Sequence, residues 1–253
     1  MKNKYLPLLM ALGIGLLFSS CVSSKKMVYF QKNQHLDSVE NISKYEIKIQ
    51  SGDLLFINVS ALDIKATLPF NLYESGVVTT GNPKSLLYLV DVDGEITFPV
   101  LGNMKVEGLT IKEMSAMLTQ KLSEYLKNPI VNIRLKNFKV TVLGEVKMPG
   151  TYPVENERIT LLEAIGLAGD LNIQAKRSKI TLIREQQGKR TLTTFDLTNS
   201  DLFNSPYFYL AQNDVVYVEP NKTKMNSSVV GPNSGIIISS ISTLISLIAI
   251  LTR

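Results

Sequence analysis

The residues that could carry covalent or metal chemistry are few. Cys21 is the only cysteine and His35 the only histidine of the 253 residues. One cysteine cannot form an internal disulfide, and one residue of each type cannot build a structural zinc site. His35 lies in a polar stretch before the first predicted strand, which disfavours a Ser-His-Asp device. The sequence therefore predicts no catalytic residue, no metal and no cofactor.

Carboxylates are the remaining candidates for chemistry. Asp91, Asp93 and Glu95 surround Gly94, a spacing that a calcium loop could use, but the bidentate glutamate of such a loop is missing. Asp-Gly is common in hairpin turns, and we favour the turn. No phosphate-binding Gly-x-x-x-x-Gly-Lys-[Ser/Thr] motif occurs. A carboxylate-based enzyme that acts on glycans remains an alternative.

The position of Cys21 gives it a different use. Lys2 and Lys4 precede a short apolar run over 6–18, and two small residues follow. This order is typical of an export signal, and the apolar run is too short to span a bilayer comfortably. The run Leu-Phe-Ser-Ser-Cys, which ends at Cys21, resembles the lipobox of bacterial lipoproteins. We therefore expect a signal peptide over 1–20 and lipidation of Cys21.

The second candidate site is a row of hydroxyls near the C-terminus. Residues 235–252 carry no charge, which predicts an amphipathic transmembrane helix over 235–253 after a hinge at 221–234. Four hydroxyl residues recur at helical spacing and share one stripe: Ser239, Ser242, Thr243 and Ser246. From spacing alone two interpretations are open. The stripe packs against a neighbouring helix, or it lines a lumen formed by several copies.

Composition excludes several classes of protein. The chain is 45% hydrophobic and 19% charged, with a formal net charge of +5. Its apolar residues are concentrated at the two ends, so the chain is neither disordered nor a polytopic membrane protein. No run of lysine and arginine is long enough for a phosphate-binding patch, and we expect no nucleic-acid partner.

The middle of the chain must supply the scaffold for both ends. Alternating apolar residues after Gly52-Asp53 and a Thr110–Glu113 capping box predict a first sheet-plus-helix unit over 45–138. A second unit over 139–220 repeats this logic with a capping box at Thr160–Glu163. Its closing run from Asp214 echoes the run from Asp53. The predicted fold class is α+β: two small domains in series, behind a linker over 21–44, with the transmembrane helix at the end.

Two longer motifs carry a resemblance to known families. The segment from Tyr45 to Val59, with the run from Val90 to Gly102 that contains Asp-Gly-Glu-Ile-Thr-Phe-Pro, resembles the bacterial polysaccharide export domain. The segment 140–152, with Gly144-Glu-Val and Pro149-Gly150, resembles the β-grasp domain called SLBB (soluble-ligand-binding β-grasp).

The resemblance implies an outer-membrane lipoprotein with periplasmic domains. It implies a homo-oligomeric ring that exports capsular polysaccharide or exopolysaccharide, supplied by inner-membrane co-polymerase or polymerase machinery. It also favours the lumen interpretation of the hydroxyl stripe. The expected partners are the polysaccharide, further copies of the chain, this machinery and outer-membrane lipid. A membrane-tethered module that binds a glycan or solute is the alternative function.

Overall fold

The computed structural model describes residues 27–31, 46–74, 85–186, 188–229 and 234–251. The strands are β1 (Leu54–Ser60), β2 (Tyr88–Leu89), β3 (Glu95–Phe98), β4 (Gly102–Lys105), β5 (Ile130–Leu135), β6 (Lys139–Gly144), β7 (Gly150–Pro153), β8 (Ala175–Gln186), β9 (Lys189–Phe195) and β10 (Val215–Pro220). The helices are α1 (Ile64–Thr67), α2 (Ile111–Leu122), α3 (Leu161–Leu167), α4 (Lys222–Val229) and α5 (Ser234–Leu251). The predicted α+β arrangement, with sheets and helices in series, is confirmed.

The first domain is a small antiparallel sheet covered by one helix. β1 lies between β2 and β5, and β3 and β4 form a separate hairpin. Helix α2 buries Met114, Leu118 and Leu122 completely, since residues four apart share one face of a helix. These side chains pack with the inward-facing residues of β1 and β5 into one core.

The second domain is a five-stranded mixed sheet in the order β7-β6-β10-β8-β9. β10 is central, parallel to β6 and antiparallel to β8. Helix α3 buries Leu161, Ala164 and Ile165 within this domain's core. The central position of β10 explains why Val216 and Val218 are fully buried.

Both domain helices begin as predicted. Thr110 Oγ1 accepts the Glu113 amide at 3.1 Å, and Glu113 Oε2 accepts the Thr110 amide at 2.8 Å. The same reciprocal pair joins Thr160 and Glu163 at 3.1 and 2.7 Å. These bonds satisfy amides that the first turn of a helix leaves without partners. Both predicted capping boxes are confirmed.

The two domains meet at a short joint around Asn137. Its side chain accepts the Leu54 amide at 2.9 Å and donates to the Gly52 carbonyl at 2.9 Å. Its own carbonyl accepts Gln212 Nε2 at 2.7 Å, and Gln212 Oε1 accepts the Lys139 amide at 2.9 Å. The turns before β1 and before β10 are therefore bonded to the same few linking residues.

A hairpin turn at Asp93-Gly94 would pair the strands on either side of it, over 87–92 and 96–100, but these strands do not pair with each other. The turn at Asp93-Gly94 forms, but β2 pairs with β1 whereas β3 pairs with β4. Leu54 lies opposite Leu89 in this pairing. The partner of β2 is more than 30 residues away in sequence, and local alternation carries no information about such a partner.

The predicted transmembrane helix is also wrong. Helix α5 has 18 residues and is therefore about 27 Å long. A helix that spans a bilayer needs about 20 residues, or about 30 Å. Six of its residues are serine or threonine. Among the described residues, no helix combines the length and the apolar character that a membrane crossing requires.

A short segment ahead of the first domain packs on the second domain. Residues 27–31 lie in the predicted linker, yet Tyr29 and Phe30 contact the core of the second domain. Ile47, which also precedes β1, is buried in that same core. Residues that precede the first domain in sequence therefore pack on the second domain.

Candidate functional site

Helix α5 places the four predicted hydroxyls on one exposed row. Ser239, Ser242, Thr243 and Ser246 are all exposed. Since each residue rises 1.5 Å along a helix, the row is about 10 Å long. Ile236 lies three residues before it and Ile250 four residues after it, and both are exposed. The hydroxyl row is therefore bracketed by isoleucine on the same face.

Every hydroxyl of the row donates to the backbone of its own helix. Ser239 donates to the Ile236 carbonyl at 2.9 Å, and Ser242 to the Ile238 carbonyl at 2.8 Å. Thr243 and Ser246 donate to the carbonyls four residues earlier at 2.8 and 2.9 Å. A hydroxyl oxygen retains its acceptor lone pairs when its hydrogen is donated. The row thus presents acceptors outward.

Outside the hydroxyl row, α5 exposes several large apolar side chains. The exposed fraction is at least 55% for each large apolar side chain described on the helix. These residues are Ile236, Ile238, Leu244, Ile245, Leu247 and Ile250. An apolar helix surface of this kind marks a site of interaction.

The first domain carries a smaller exposed apolar patch. Leu62, Ile64 and Tyr125 line a shallow groove beside α1. Their exposed fractions are 97%, 75% and 54%, respectively. Lys65 and Lys127 also line the groove. The patch lies on the opposite domain from the α5 attachment, so the two apolar surfaces are separate features.

A buried ion pair organises the centre of the second domain. Arg184 on β8 and Asp214 just before β10 are 8% and 0% exposed at their side chains. Arg184 Nη2 donates to Asp214 Oδ2 at 2.7 Å and to the Tyr209 carbonyl at 2.9 Å. Burial raises the pKa of the Asp214 carboxyl, and the Arg184 guanidinium and the Ala211 amide oppose that shift. The pair fixes the 209–214 loop to the sheet.

The first domain has the same turn without an arginine. The Gln50 amide donates to Asp53 Oδ2 at 2.8 Å, as the Ala211 amide does to Asp214 Oδ2 at 2.7 Å. Asp53 is 1% exposed, and its Oδ1 has no hydrogen-bond partner within the described residues. Burial raises its pKa to about 6, against the Gln50 amide, which lowers it. The echo between the two runs is a repeated turn.

The other sequence candidates have structural roles. Asp91 Oδ1 accepts the amides of Asp93 and Glu95 at 3.0 and 2.8 Å, which supports the turn interpretation. The aromatic residues 207–209 are half-buried, and Arg184 lies over the Tyr207 ring at 5.2 Å. Over the described ranges, no three histidine, cysteine, aspartate or glutamate side chains are grouped to hold a metal.

Several features discussed from the sequence lie outside the described residues, namely Cys21, His35, the signal peptide over 1–20 and most of the linker over 21–44. The buried pair of Arg184 and Asp214 was missed from the sequence. An arginine inside an otherwise apolar strand pattern is the signal that would have found it, since buried charge requires a partner.

Comparison with known proteins gives the same two domains. Residues 41–136 match the family described as polysaccharide biosynthesis/export protein, and residues 138–218 match the SLBB domain. The EPS I polysaccharide export outer membrane proteins EpsA of Ralstonia solanacearum and Ralstonia nicotianae are 30% identical over 199 residues. That alignment covers 74% of this chain and 52% and 51% of the two relatives.

A third relative covers less. The exopolysaccharide production protein ExoF of Rhizobium meliloti is 30% identical over 88 residues, which are 33% of this chain and 21% of that protein. The chain spans about half the length of its Ralstonia relatives. The export-family names agree with the expectation of a protein that is not an enzyme. Residues 41–136 thus form a domain that matches the polysaccharide biosynthesis/export protein family, and a domain that matches the SLBB model follows it.

Proposed function

We propose that this chain exports a polysaccharide at the outer membrane, as a homo-oligomer anchored by lipidated Cys21. The relatives are named as polysaccharide export outer membrane proteins, which supports the substrate class and the location. The observation that carries the oligomer is α5, on which six large apolar side chains between Ile236 and Ile250 are exposed. Copies of the same helix are the partners that would bury them.

The arrangement of α5 supports a polymer path between the copies. When the apolar residues pack between neighbouring helices, the hydroxyl row Ser239, Ser242, Thr243 and Ser246 faces the space they enclose. Its outward lone pairs accept hydrogen bonds from the hydroxyls of a sugar. The hydroxyl row carries no charge that would bind the polymer tightly, and this would allow the polymer to move along it.

The exposed patch at Leu62, Ile64 and Tyr125 supports a second contact between copies. An exposed apolar groove of this kind is a surface that a neighbouring copy would cover. The two patches lie on different domains, so an oligomer would be held at both.

The source of energy lies outside this chain. No phosphate-binding loop motif occurs in the sequence. We therefore propose that inner-membrane polymerase or co-polymerase machinery supplies both the polymer and the driving force, and that this chain provides a passive path.

The test replaces two hydroxyls of the row. Ser242→Leu with Ser246→Leu is expected to lower the amount of surface polysaccharide at least tenfold while light scattering in detergent gives an unchanged oligomer mass. The matched control is Ser240→Leu, because Ser240 is on the same helix but about 100° away from the row. Normal export by the double variant would contradict the path along this row.

The tethered binding module makes a different prediction. The second domain has a complete core without α5, and this favours a binder that needs the helix only as an attachment. Deleting 234–253 while Cys21 is kept should abolish export if copies of α5 form the path. Retained glycan binding with retained export after this deletion would support the binding module instead.

A further inference from the structure

The second domain carries a groove that is filled by the chain's own N-terminal segment. The groove is bordered by Asp170, by Arg177 on β8, by the chain after β9 and by Phe203 in a short 3-10 helix (Ser200–Asn204). Residues 27–31, which we name the strap, lie in it. The first domain separates the strap from this groove in sequence, and Tyr29 and Asp170 are 141 positions apart.

The backbone of the strap extends the second domain. The Phe30 amide donates to the Leu197 carbonyl at 3.0 Å, and the Gln31 amide to the Thr198 carbonyl at 2.8 Å. Backbone bonds of this kind give affinity to an added segment, while side-chain pockets give specificity. The strap is therefore held on the second domain by backbone bonds as well as by its side chains.

Tyr29 joins the exposed Asp170 and the buried Arg177. Its hydroxyl donates to Asp170 Oδ1 at 2.7 Å, and the Arg177 guanidinium lies over its ring at 5.6 Å. Arg177 is only 8% exposed, and its Nε has no hydrogen-bond partner within the described residues. A buried arginine is costly without a partner, and the face of an aromatic ring supplies one.

Phe30 provides the second anchor. Its ring contacts that of Phe203 at 5.2 Å between centroids, and Phe203 in turn contacts Phe208 at 5.5 Å. Its φ is +55°, in the left-handed region that residues other than glycine rarely adopt. The aromatic contacts and the two backbone bonds hold it in this conformation.

We propose that the groove is a dedicated site for the strap, and that the strap holds the second domain close to the anchor at Cys21. The docking stands on the contacts above, whereas its membrane consequence rests on the proposed lipidation. Eight residues separate Cys21 from Tyr29, so the docking point lies within about 28 Å of the anchor. Without the strap, the path from Cys21 to the second domain would run through the whole first domain.

Hydrogen exchange on the full chain in detergent tests the docking. The amides of Phe30 and Gln31 are expected to be protected in the natural protein. In Tyr29→Ala with Phe30→Ala, exchange at Gln31 and in 197–203 should rise at least tenfold. Val28→Ala is the matched control, because Val28 is 55% exposed within the same segment, and it should leave exchange unchanged. Unprotected strap amides in the natural protein, or protection that survives the double variant, would overturn the docking.

The tether is measured separately from the docking. A fluorophore at Leu192→Cys, an exposed position on β9, reports its distance from a labelled bilayer in vesicles that hold the lipidated protein. A ten-residue Gly/Ser insertion between Cys21 and Met27 should increase this distance, and the same insertion between Gln31 and Glu46 should not.

The outcomes separate this inference from the export function. If both insertions increase the distance equally, the strap is not the tether and the inference is wrong. If neither does, anchoring at Cys21 fails and the membrane part of the inference fails with it, while the exchange data still decide the docking. Export itself is scored by surface polysaccharide and is independent of both measurements.

Discussion

Asp53 and Asp214 occupy the same place in a repeated turn, but only one of them has a cation. Arg184 neutralises Asp214, whereas Asp53 keeps one oxygen without a partner within the described residues. We therefore expect Asp214 to be stable as a charged carboxylate and Asp53 to be stable as a neutral carboxyl. The pair needs both partners, because removing one leaves a buried charge. The folded state is more stable when Asp53 is protonated, because burial disfavours its charged form.

The pH dependence of stability tests this for Asp53. Its pKa of about 6 in the folded chain exceeds the ordinary value of 3.8, so the folded state binds more protons between these values. The contribution of Asp53 to stability therefore falls as pH rises from about 4 to 6. Relative to the natural protein, Asp53→Asn should become more stable over this range, by at most about 3 kcal/mol.

Urea unfolding at pH 4 and pH 7.5 measures this difference. Asp93→Asn is the control, because Asp93 is exposed. If Asp53→Asn changes the free energy of unfolding by the same amount at both pH values, the pKa of Asp53 is not raised in the folded state.

Gly144 is the position where a side chain is least tolerable. Its φ is +92°, and a Cβ built on it would lie 2.0 Å from the Val218 carbonyl oxygen. Since β6 and β10 are bonded at this point, the clash would separate two central strands. Gly144→Ala is expected to lower the free energy of unfolding by about 3 kcal/mol or more.

Gly166 on α3 is the matched control for Gly144. A Cβ there meets no atom within 4 Å, so Gly166→Ala should be neutral or stabilise by up to about 1 kcal/mol. Chemical denaturation compares the two variants. Equal, small effects would mean that the strand pair adjusts to the added methyl group.

At the scale of elements, the caps of α2 and α3 have a measurable value. Thr110→Ala removes the oxygen that accepts the Glu113 amide, and it is expected to cost about 1 kcal/mol. Glu113→Gln keeps an acceptor at the same place and should cost less. Thermal unfolding of both variants is the measurement, and a larger loss for Glu113→Gln would contradict the capping role.

The elements that sequence predicted well are those determined by neighbouring residues. The capping boxes, the Asp-Gly turn and the run after each repeated turn depend on residues only a few positions apart. The pairing of β2 with β1 and the docking of the strap depend on residues far apart in sequence, so alternation and composition could not predict them. The transmembrane prediction failed for another reason. It counted an uncharged stretch and gave too little weight to the length of the helix and its hydroxyls.

At the scale of the molecule, the joint at Asn137 couples the two domains. Its side chain bonds Gly52 and Leu54 in the first domain, and its carbonyl bonds Gln212 in the second. Asn137→Ala removes the two side-chain bonds and leaves backbone groups without partners, which should cost about 1–3 kcal/mol.

Calorimetry is the measurement for the joint. In the Asn137→Ala variant the two domains should unfold in two separate transitions. In the natural chain these transitions should lie closer together in temperature. Asn103→Ala, which removes an exposed side-chain bond to Thr97 in the β3–β4 hairpin, should leave the coupling unchanged. A single, merely shifted transition in the Asn137 variant would show that the domains are coupled elsewhere.

The strap also determines how the molecule would bear mechanical force. The strap fixes the N-terminal part of the chain to the second domain. Helices α4 and α5 follow β10 of that same domain, and the Asn221 amide donates to the Gln174 carbonyl there at 2.7 Å. A pull between the two ends of the chain therefore passes through the second domain alone. The first domain lies outside this load path, and it stays folded under tension for as long as the strap remains docked.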